Sequence, residues 1–415
     1  MRRVLIFSLT YHPFVGGAEV ALKEITDRLP PSEFELEMIT LRFDSNLPKV
    51  EKMGNVLVHR IGFSAPGAKV SDRSMPFLCK AAKVLFPITA YFKALSLDRK
   101  KHFDITWAMM ANQAGFAALF FSASLKLRRT GKQVKYFLEL QDGRPFAQMT
   151  DRQPLLRLLW PLYRMVYMKA AIIKCISTFI GTEVRSIGYR GPVRVIPNGV
   201  DMEKFSASVP QEQLDALKQK FNKQPGDVLL FTASRLVLSR GVEDVIQSLV
   251  ALPAHVKFLI AGEGEDREKL EHIARQLDVF DRVIFAGYVS HDALPAHLKI
   301  SDIFVRPSLI EGMGNAFIEA FAAGVPVIGT PVGGIPDFLF DPEKSREVDK
   351  SAQREPTGLF CEVQNPESIA RAIKRYIDEP ELRARIVENA KKLAAEKYDW
   401  SLIANDMREK IFNTL

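Results

Sequence analysis

The sequence predicts an α/β protein with two Rossmann-like domains, and three observations support that prediction. Apolar runs with the length of buried strands alternate with amphipathic helical segments in both halves of the chain. Strands that alternate with helices form parallel sheets that are covered on both faces. The chain also has 415 residues, which is more than one hydrophobic core usually serves. We therefore expect one such sheet in each half.

Each half contains its own series of elements. The predicted strands of the first half are Val4–Leu9, Leu36–Leu41, Val56–Ile61, Ile105–Met109, Val134–Leu138 and Ile172–Ser177, and its helices are Ala18–Leu29, Ala114–Leu127 and Leu155–Ala171. The predicted strands of the second half are Val228–Ala233, Val256–Ala261, Val283–Ala286, Ile303–Pro307 and Val325–Gly329, and its helices are Val242–Leu252, Asp266–Asp278 and one that ends at Ala323. Pro197 and the following Asn-Gly pair favour a boundary, which gives domains at 1–196 and 197–397 and a final amphipathic helix at 398–415.

Positive charge is concentrated in the first half of the chain. Residues 1–195 contain 30 Lys and Arg against 15 Asp and Glu, a net charge of +15, whereas the remainder has a net charge of −7. This asymmetry favours an anionic partner for the first half, such as phospholipid headgroups, a lipid phosphate or nucleic acid. The sequence has no stacking-aromatic motif, zinc site or recognition-helix pattern, so we do not expect nucleic acid as a partner.

Two basic segments with aromatic residues are candidates for contact with an anionic membrane surface. The first, 76–101, combines Leu85, Phe86, Ile88, Tyr91 and Phe92 with Lys80, Lys83, Lys93, Arg99, Lys100 and Lys101. The second, 155–169, combines Leu156, Leu159, Trp160, Leu162 and Tyr163 with Arg164 and Lys169 and with the nearby Arg152 and Arg157. Each pattern fits equally well an ordinary helix that buries one face in the core.

Two further features bear on where the protein resides. No stretch reaches the roughly 18–20 apolar residues that a membrane span needs. The three cysteines are far apart in the sequence and odd in number, which is typical of free thiols in a reducing compartment; they are Cys79, Cys175 and Cys361. We therefore expect a cytoplasmic protein that contacts the inner face of the membrane peripherally.

Residues suited to a phosphate group follow a predicted strand in each half. Gly16 and Gly17 open the first helix, where backbone N–H groups can approach an anion, although a tight turn would use the same glycines. Arg235 and Arg240 follow the strand at Val228, and ligands of α/β proteins bind at such strand ends. Two forked cations suit a diphosphate, whereas the alternative is a pair of solvated loop charges.

A glycine-containing segment with two glutamates is the strongest candidate for a ligand site. It reads Glu311-Gly312-Met313-Gly314-Asn315-Ala316-Phe317-Ile318-Glu319. The loop exposes backbone N–H groups at the start of a helix, and each carboxylate can accept two hydrogen bonds from a vicinal diol. A glutamate in the apolar run that contains Glu319 is costly to bury unless it has a partner.

The chain resembles the retaining glycosyltransferases of family 4, which have the GT-B fold. The matching segments follow the family's order across nearly the whole chain: PFVGGAE (13–19), VIPNGVD (195–201), ASRLVLSRG (233–241), LIAGEGED (259–266), VIFAGYV (283–289), SDIFVRPSLIEGMGNAFIEAFAAGVPVIGTPVGGIPD (301–337) and TGLF (357–360). The segment with two glutamates and its flanks is specific to the family, whereas the glycine pair alone is not.

The resemblance implies a fold and a set of roles. Two Rossmann-like domains would face each other across a nucleotide-sugar donor, and the last helix would pack back on the first domain. Glu319 would bind the donor ribose, and Glu311 would lie beside the transferred hexose-type sugar. Arg235 and Arg240 would hold the diphosphate, and the backbone from Met313 to Ala316 would contact sugar and phosphate. Gly16 and Gly17 would line the opposite wall, and by position Glu263, Tyr288 and Val289 would border the base.

The chain departs from the family pattern at two places. The family usually has Lys where this chain has Arg240, and the bulkier guanidinium predicts conserved binding with altered geometry. The family often has His near the reacting sugar, in a stretch that here contains Gln141 and Asp142. Either residue is a candidate substitute for that histidine.

The mechanism that the resemblance implies is metal-independent front-face displacement, in which the diphosphate helps to deprotonate a hydroxyl acceptor. The sequence contains no Asp-x-Asp motif, so a carboxylate-held Mg²⁺ or Mn²⁺ is not indicated and no cofactor is expected. The acceptor would be lipid-linked or a cell-surface glycan. Two alternatives are a sugar-nucleotide epimerase and a catalytically silent subunit that binds a nucleotide sugar.

Overall fold

The computed structural model describes residues 1–14, 16–68, 75–128, 134–151, 158–343 and 354–415. The chain divides into two compact units, of which the first comprises 1–198 and 400–415 and the second comprises 199–399. The sequence placed these divisions after residues 196 and 397. Each unit contains one sheet with helical connections, which confirms the predicted α/β class with two Rossmann-like domains.

The first unit contains a sheet of eight strands within its described residues. They are β1 (Arg2–Phe7), β2 (Phe34–Leu41), β3 (Val50–Met53), β4 (Val56–Ile61), β5 (Ile105–Met109), β6 (Lys135–Leu140), β7 (Ile172–Cys175) and β8 (Val193–Val195). Their order is β3-β4-β2-β1-β5-β6-β7-β8, and β3 runs antiparallel to β4 whereas the other neighbours are parallel. The sequence did not predict β3, because this short edge strand exposes alternate side chains and lacks an apolar run.

The helices of the first unit surround that sheet. They are α1 (Gly17–Arg28), α2 (Phe77–Lys101), α3 (Gln113–Arg128), α4 (Phe146–Asp151), α5 (Trp160–Met168) and α6 (Thr178–Ser186). The predicted helix at 155–171 is represented by α5, and its first part, with Arg152, Leu155, Leu156 and Arg157, lies outside the described residues. No helix among the described residues is long and apolar enough to cross a membrane.

The second unit contains a fully parallel sheet in the order β11-β10-β9-β12-β13-β14. Its strands are β9 (Val228–Ala233), β10 (Val256–Ala261), β11 (Val283–Gly287), β12 (Ile303–Arg306), β13 (Val327–Gly329) and β14 (Leu359–Phe360). Its helices are α7 (Met202–Ser206), α8 (Gln211–Lys220), α9 (Val242–Ser248), α10 (Arg267–Gln276), α11 (Leu294–Lys299), α12 (Asn315–Ala323), α13 (Pro366–Asp378) and α14 (Pro380–Lys397). Helix α9 ends earlier than predicted and continues as a 3₁₀ turn at Leu249–Ala251, after which Leu252 is extended before Pro253.

The last helix, α15 (Trp400–Lys410), belongs to the first unit. It packs beside α1, and the turn that follows it inserts Phe412 into the core of the first sheet. The Phe412 ring lies 5.9 Å from Trp107 and 5.5 Å from Phe137, measured between ring centroids. Residues 400–415 therefore complete the core of a sheet that is otherwise built from the first 198 residues.

Candidate active site

Glycines hold the loops at the carboxyl end of the second sheet in close contact. Gly241, in the loop after β9, has a φ of +69°, and a Cβ there would overlap the carbonyl oxygen of Pro307 after β12. Gly333, after β13, has a φ of +55°, and a Cβ there would overlap the carbonyl oxygen of Glu311. Only glycine combines a positive φ with such close backbone approach. The loops that follow β9, β12 and β13 therefore form one compact edge.

The carboxylate of Glu311 lies within this edge and is paired with two arginines. Its Oε2 atom accepts hydrogen bonds from Arg240 Nη1 at 2.8 Å and Arg306 Nη2 at 2.9 Å. Its Oε1 atom accepts from the backbone N–H of Gly312 at 3.2 Å. The exposed fraction of the side chain is 25% for Arg240 but 7% for Arg306. One cation thus reaches solvent while the other is buried beneath the loop.

Arg306 was not among the residues predicted from the sequence. It ends β12, and its guanidinium carbon lies 4.9 Å from the centroid of the Phe317 ring. Burial lowers the pKa of Arg306 and nearby Arg240 lowers it further, whereas the negative charge of Glu311 raises it. Arg306 could have been recognised from the sequence as a charged residue in the otherwise apolar run of β12. The same kind of pattern identified Glu319.

Helix α12 begins directly above this cluster. Its cap residue, Gly314, has a φ of +99°, and a Cβ there would lie 3.2 Å from Arg306 Nη2. Met313 is buried, while Asn315 and Ala316 in the first turn are half-buried. Gly314 has no side chain with which to cap the helix, so a bound anion can take that role at the positive end of the helix dipole.

Glu319, in the second turn of α12, is hydrogen-bonded to His291. His291 Nε2 is 3.0 Å from Glu319 Oε1, and His291 Nδ1 is 3.2 Å from Lys204 Nζ, which also pairs with Asp292 at 2.6 Å. An ammonium group only donates, so Nδ1 accepts and Nε2 carries the proton that is donated to the carboxylate. Glu319 thus has the partner that its burial requires. His291 and Lys204 were not predicted, since nothing in the sequence brings α7, α12 and the loop after β11 together.

The other predicted residues of the second unit occupy neighbouring strand ends. Arg235 is exposed in the loop after β9 and has no ion pair within the described part of the chain. Glu263 follows β10 and pairs with Arg267 at 3.2 Å. Tyr288 and Val289 follow β11, where Tyr288 is 74% exposed and Val289 is half-buried. These residues share one edge of the sheet with Glu311.

In the first unit, the glycine pair begins α1. Gly16 caps the helix with a φ of −133°, an extended conformation that any residue can adopt, and Gly17 is the first helical residue. A Cβ on Gly16 would approach Glu19 Oε2 to 2.7 Å. The other carboxylate oxygen of Glu19 accepts a hydrogen bond from Thr10. Neither the extended backbone nor this contact with the end of a flexible side chain requires glycine at position 16.

Gln141 is held in a buried network at the end of β6. Its amide donates to Glu139 Oε1 at 2.7 Å, and its carbonyl oxygen accepts from Asn198 Nδ2 at 3.0 Å. Glu139 Oε1 lies 2.6 Å from Lys174 Nζ, and both side chains are fully buried. Trp107 Nε1 donates to the other oxygen of Glu139 at 3.0 Å. The Gln141 amide is therefore occupied within the first unit.

Asp142, the next residue, is in a more open setting. Arg144 Nε donates to both of its carboxylate oxygens, at 3.0 and 2.9 Å, and the Asp142 side chain is 27% exposed. Hydrogen bonding to Asp142 raises the pKa of Arg144 against the opposing effect of burial. The Asp142 carboxylate thus keeps contact with solvent, whereas the Gln141 amide is bonded to Glu139 and Asn198.

Comparisons with known proteins identify related sequences and a structure of similar fold. An uncharacterized glycosyltransferase of Methanocaldococcus jannaschii is 27% identical over 410 residues, which cover 97% of this chain and 96% of the relative. Alpha-monoglucosyldiacylglycerol synthase of Streptococcus pneumoniae is 23% identical over 79% of this chain and 70% of its own length. The solved structure of Anabaena HepE in complex with UDP-glucose has a TM-score of 0.73, with 18% identity and full coverage of both chains.

Two family models account for most of the sequence. The model for glycosyltransferase family 4 matches residues 15–204, and the model for glycosyl transferases group 1 matches residues 214–393. This chain belongs to the GT-B glycosyltransferases of group 1, family 4. Within this glycosyltransferase, the group 1 match contains both glutamates of the α12 segment and the arginines of the β9 loop.

The structure corrects one part of the predicted membrane-facing surface of this glycosyltransferase. Phe86 in α2 is fully buried and belongs to the core rather than to an outer face. The opposite face of the helix exposes six other apolar side chains, which are Phe77, Leu78, Val84, Leu85, Ile88 and Phe92. We call this set the α2 face. In α5, Leu159 and Leu162 are exposed, whereas Tyr163 packs edge-to-face against Phe116 at 4.9 Å.

Proposed function

We propose that this glycosyltransferase is a retaining enzyme that moves a hexose-type sugar from a nucleotide-diphosphate sugar to a hydroxyl acceptor. The observation that carries the proposal is the charge balance at the end of the second sheet. Arg240 and Arg306 supply two positive charges to the single carboxylate of Glu311, and the exposed Arg235 adds a third. This surplus of positive charge, together with the positive end of α12, suits a diphosphate.

In the proposed donor complex, each residue has one task. Arg235 and Arg240 hold the diphosphate and stabilise the charge that develops on it as the sugar departs. Glu319 accepts hydrogen bonds from the ribose hydroxyls through the oxygen that His291 does not hold, and Glu311 lies beside the sugar. Arg306 keeps Glu311 neutralised when Arg240 turns towards phosphate.

Retention is proposed through front-face displacement. The acceptor oxygen attacks the anomeric carbon from the side that the diphosphate leaves, and the departing phosphate oxygen takes the proton of the acceptor hydroxyl. Of the two first-unit candidates, we assign the role beside the reacting sugar to Asp142, because its carboxylate, although paired with Arg144, is 27% exposed, whereas the Gln141 amide is bound to Glu139 and Asn198.

Fixed cations are proposed to replace a metal ion in this reaction. Within the described ranges, no three His, Cys, Asp or Glu side chains lie close enough together to hold a metal. We expect turnover to be the same in EDTA as in Mg²⁺ or Mn²⁺, read as release of nucleoside diphosphate. A loss of turnover in EDTA that Mg²⁺ restores would refute the metal-free mechanism.

The acceptor is proposed to be lipid-linked or part of a cell-surface glycan, reached from an anionic membrane surface on the cytoplasmic side. The relative in Streptococcus pneumoniae is named as a glycolipid synthase. The α2 face also lies on a helix with several exposed cations, among them Lys80, Arg99 and Lys100. An apolar face flanked by basic residues suits the headgroup region of anionic lipid.

Flotation with liposomes tests the membrane contact. The α2 face is changed to serine at all six positions, and the matched control changes two exposed apolar residues elsewhere, Val250 and Leu402, to serine. We expect the wild type and the control to float with anionic vesicles, whereas the α2-face variant stays behind. Equal flotation of all three proteins, or flotation of none, would reject this surface.

The enzymatic proposal is tested with purified protein and a panel of UDP-, ADP- and GDP-sugars, by release of nucleoside diphosphate with and without acceptor. Arg235→Ala is expected to lower turnover by roughly 10²-fold or more, because a leaving-group cation is lost. Arg371→Ala, at an exposed arginine of α13, is the control. Near-normal turnover in Arg235→Ala would remove the leaving-group role.

Binding of a donor without turnover would favour the silent subunit, and inversion at a carbon of the sugar without acceptor would favour the epimerase.

A further inference from the structure

A pocket of about 230 Å³ lies within the first unit, at the carboxyl ends of β5 and β6. Helices α5 and α6 and the segment at the start of α4 close its sides. Its lining combines apolar and aromatic side chains such as Leu140, Tyr163 and Tyr167 with the charged groups Asp142, Arg144 and Glu183. None of the residues proposed to bind the donor lines this pocket, whereas Asp142, which we place beside the reacting sugar, does.

The aromatic rings of the pocket are fixed in orientation. Phe146 packs edge-to-face on Tyr167, with ring centroids 5.3 Å apart at 88°, and Tyr163 packs in the same way on Phe116 at 4.9 Å. Edge-to-face packing holds each ring so that its remaining surface has a defined direction. Such rings offer flat apolar surface to a ligand that has a flat apolar side.

The polar groups of the pocket are also held in place. Glu183 Oε2 accepts the backbone N–H of Phe146 at 2.9 Å, and Asp142 is paired with Arg144. Burial raises the pKa of Tyr167, so its hydroxyl keeps its proton and can donate. Two carboxylates and one guanidinium give the charged lining a net charge of −1. Carboxylates, a guanidinium and a phenol suit the hydroxyl pairs of a sugar.

We propose that this pocket binds one neutral sugar ring of the acceptor, so that the acceptor is a glycoside rather than a bare lipid alcohol. The proposal rests on the glycosyltransferase function proposed above. The pocket is smaller than the roughly 300–1,000 Å³ of sites for drug-sized ligands, so it accommodates a single ring rather than a nucleotide.

Two other ligand classes fit the lining less well. A phosphate or another anionic group would meet the net negative charge of the lining. An acyl chain would cover Asp142, Arg144 and Glu183 with hydrocarbon and leave charged groups without solvent, which is costly. A pyranose avoids both penalties, because its C–H face packs on the rings while its hydroxyls bond to the charged groups.

Saturation-transfer NMR on the full chain tests the proposal, with methyl α-glucoside, α-mannoside and α-galactoside as probes and short-chain dihexanoylglycerol as the lipid alcohol. We expect transfer to the ring protons of at least one glycoside and none to the lipid. Glu183→Gln should weaken glycoside binding about fivefold or more, because the amide keeps the hydrogen bond from Phe146 N–H but removes one acceptor. Glu381→Gln, at an exposed glutamate of α14, is the matched control.

The possible results separate this proposal from the function on which it rests. Transfer to dihexanoylglycerol in place of the glycosides, or unchanged glycoside binding in Glu183→Gln, would overturn the sugar pocket. UDP, ADP and GDP are titrated in parallel, and their binding should be the same in Glu183→Gln as in wild type. Glycoside binding in a protein that turns over no donor would support the pocket while refuting the transferase function.

Discussion

Glu139 and Glu311 are both buried carboxylates at the carboxyl ends of parallel strands, and both are neutralised by cations, yet their surroundings differ. Glu139 faces Lys174 on the neighbouring strand in direct register, and neither side chain has any exposed surface. Glu311 is shared by buried Arg306 and by Arg240, which is 25% exposed. The first pair is closed to ligands, whereas the second has a cation that can turn outward.

The contrast shows what distinguishes a structural ion pair from one suited to binding. Around Glu139, one positive charge matches one negative charge, and Trp107 and Gln141 complete its hydrogen bonds. Around Glu311, the positive charges exceed the negative charge by one, and the surplus lies beside a glycine-capped helix. A balanced, sealed pair stabilises the fold, whereas an unbalanced pair at the edge of a sheet has charge left for a ligand.

The largest expected effect is on the balanced pair. Lys174→Met leaves Glu139 buried without its cation, so we expect the free energy of unfolding to fall by about 3–5 kcal/mol. Urea denaturation of the full chain, followed by tryptophan fluorescence, measures the change. In the matched double variant, Glu139→Leu with Lys174→Met, most of the loss should be recovered because no charge remains buried. Equal losses in the single and double variants would contradict the comparison.

The second effect is on activity rather than stability. Arg240→Met leaves Glu311 paired with Arg306, so the free energy of unfolding should change by less than about 1 kcal/mol. Turnover of the nucleotide-sugar donor should fall by about 10²–10³-fold, because a cation at the leaving diphosphate is lost. Arg240→Lys, which restores the residue usual in the family, should retain most of the turnover. If Arg240→Met unfolds the protein but the folded fraction turns over normally, Arg240 is a structural residue like Lys174.

The smallest effect is expected at His291, which holds one oxygen of Glu319. His291→Ala should raise the donor KM by about tenfold, equivalent to about 1.4 kcal/mol, with little change in kcat. His291→Gln places an amide N–H near the position of Nε2 and should restore most of the affinity. A fall in kcat without a change in KM, or no rescue by glutamine, would show that His291 does not position the Glu319 carboxylate for the ribose.

The sequence predicted the bounds of several strands and the candidate site at the carboxyl end of the second sheet. The strands β4, β5, β9 and β10 have the bounds that the apolar runs predict, and β11 and β12 differ by one residue, because buried parallel strands are continuous apolar segments. The Glu311 loop and α12 were recognised because glycines and charges interrupt an apolar run. Helices α13 and α14 were not predicted, although α13 is strongly amphipathic.

Partnerships between distant residues were not predictable from the same patterns. Lys174 and Glu139 each stand alone in an apolar strand, as Arg306 does, so each was recognisable as a buried charge in need of a partner. Which partner it has depends on strand order, because β6 and β7 must be neighbours before their side chains meet. The sequence shows the strands but not their order in the sheet, so the pairs emerge only from the fold.

The placement of Phe412 also has a consequence for how the protein is made. The first unit needs residues 400–415 to fill its core, and these leave the ribosome only after the whole of the second unit has been translated. At about 5–20 residues per second, that interval is roughly 10–40 s. During this time the site beside Trp107 and Phe137 lacks its apolar cover, and the second unit is completed before that cover is made. The half of the protein that is translated first is therefore the half that finishes folding last.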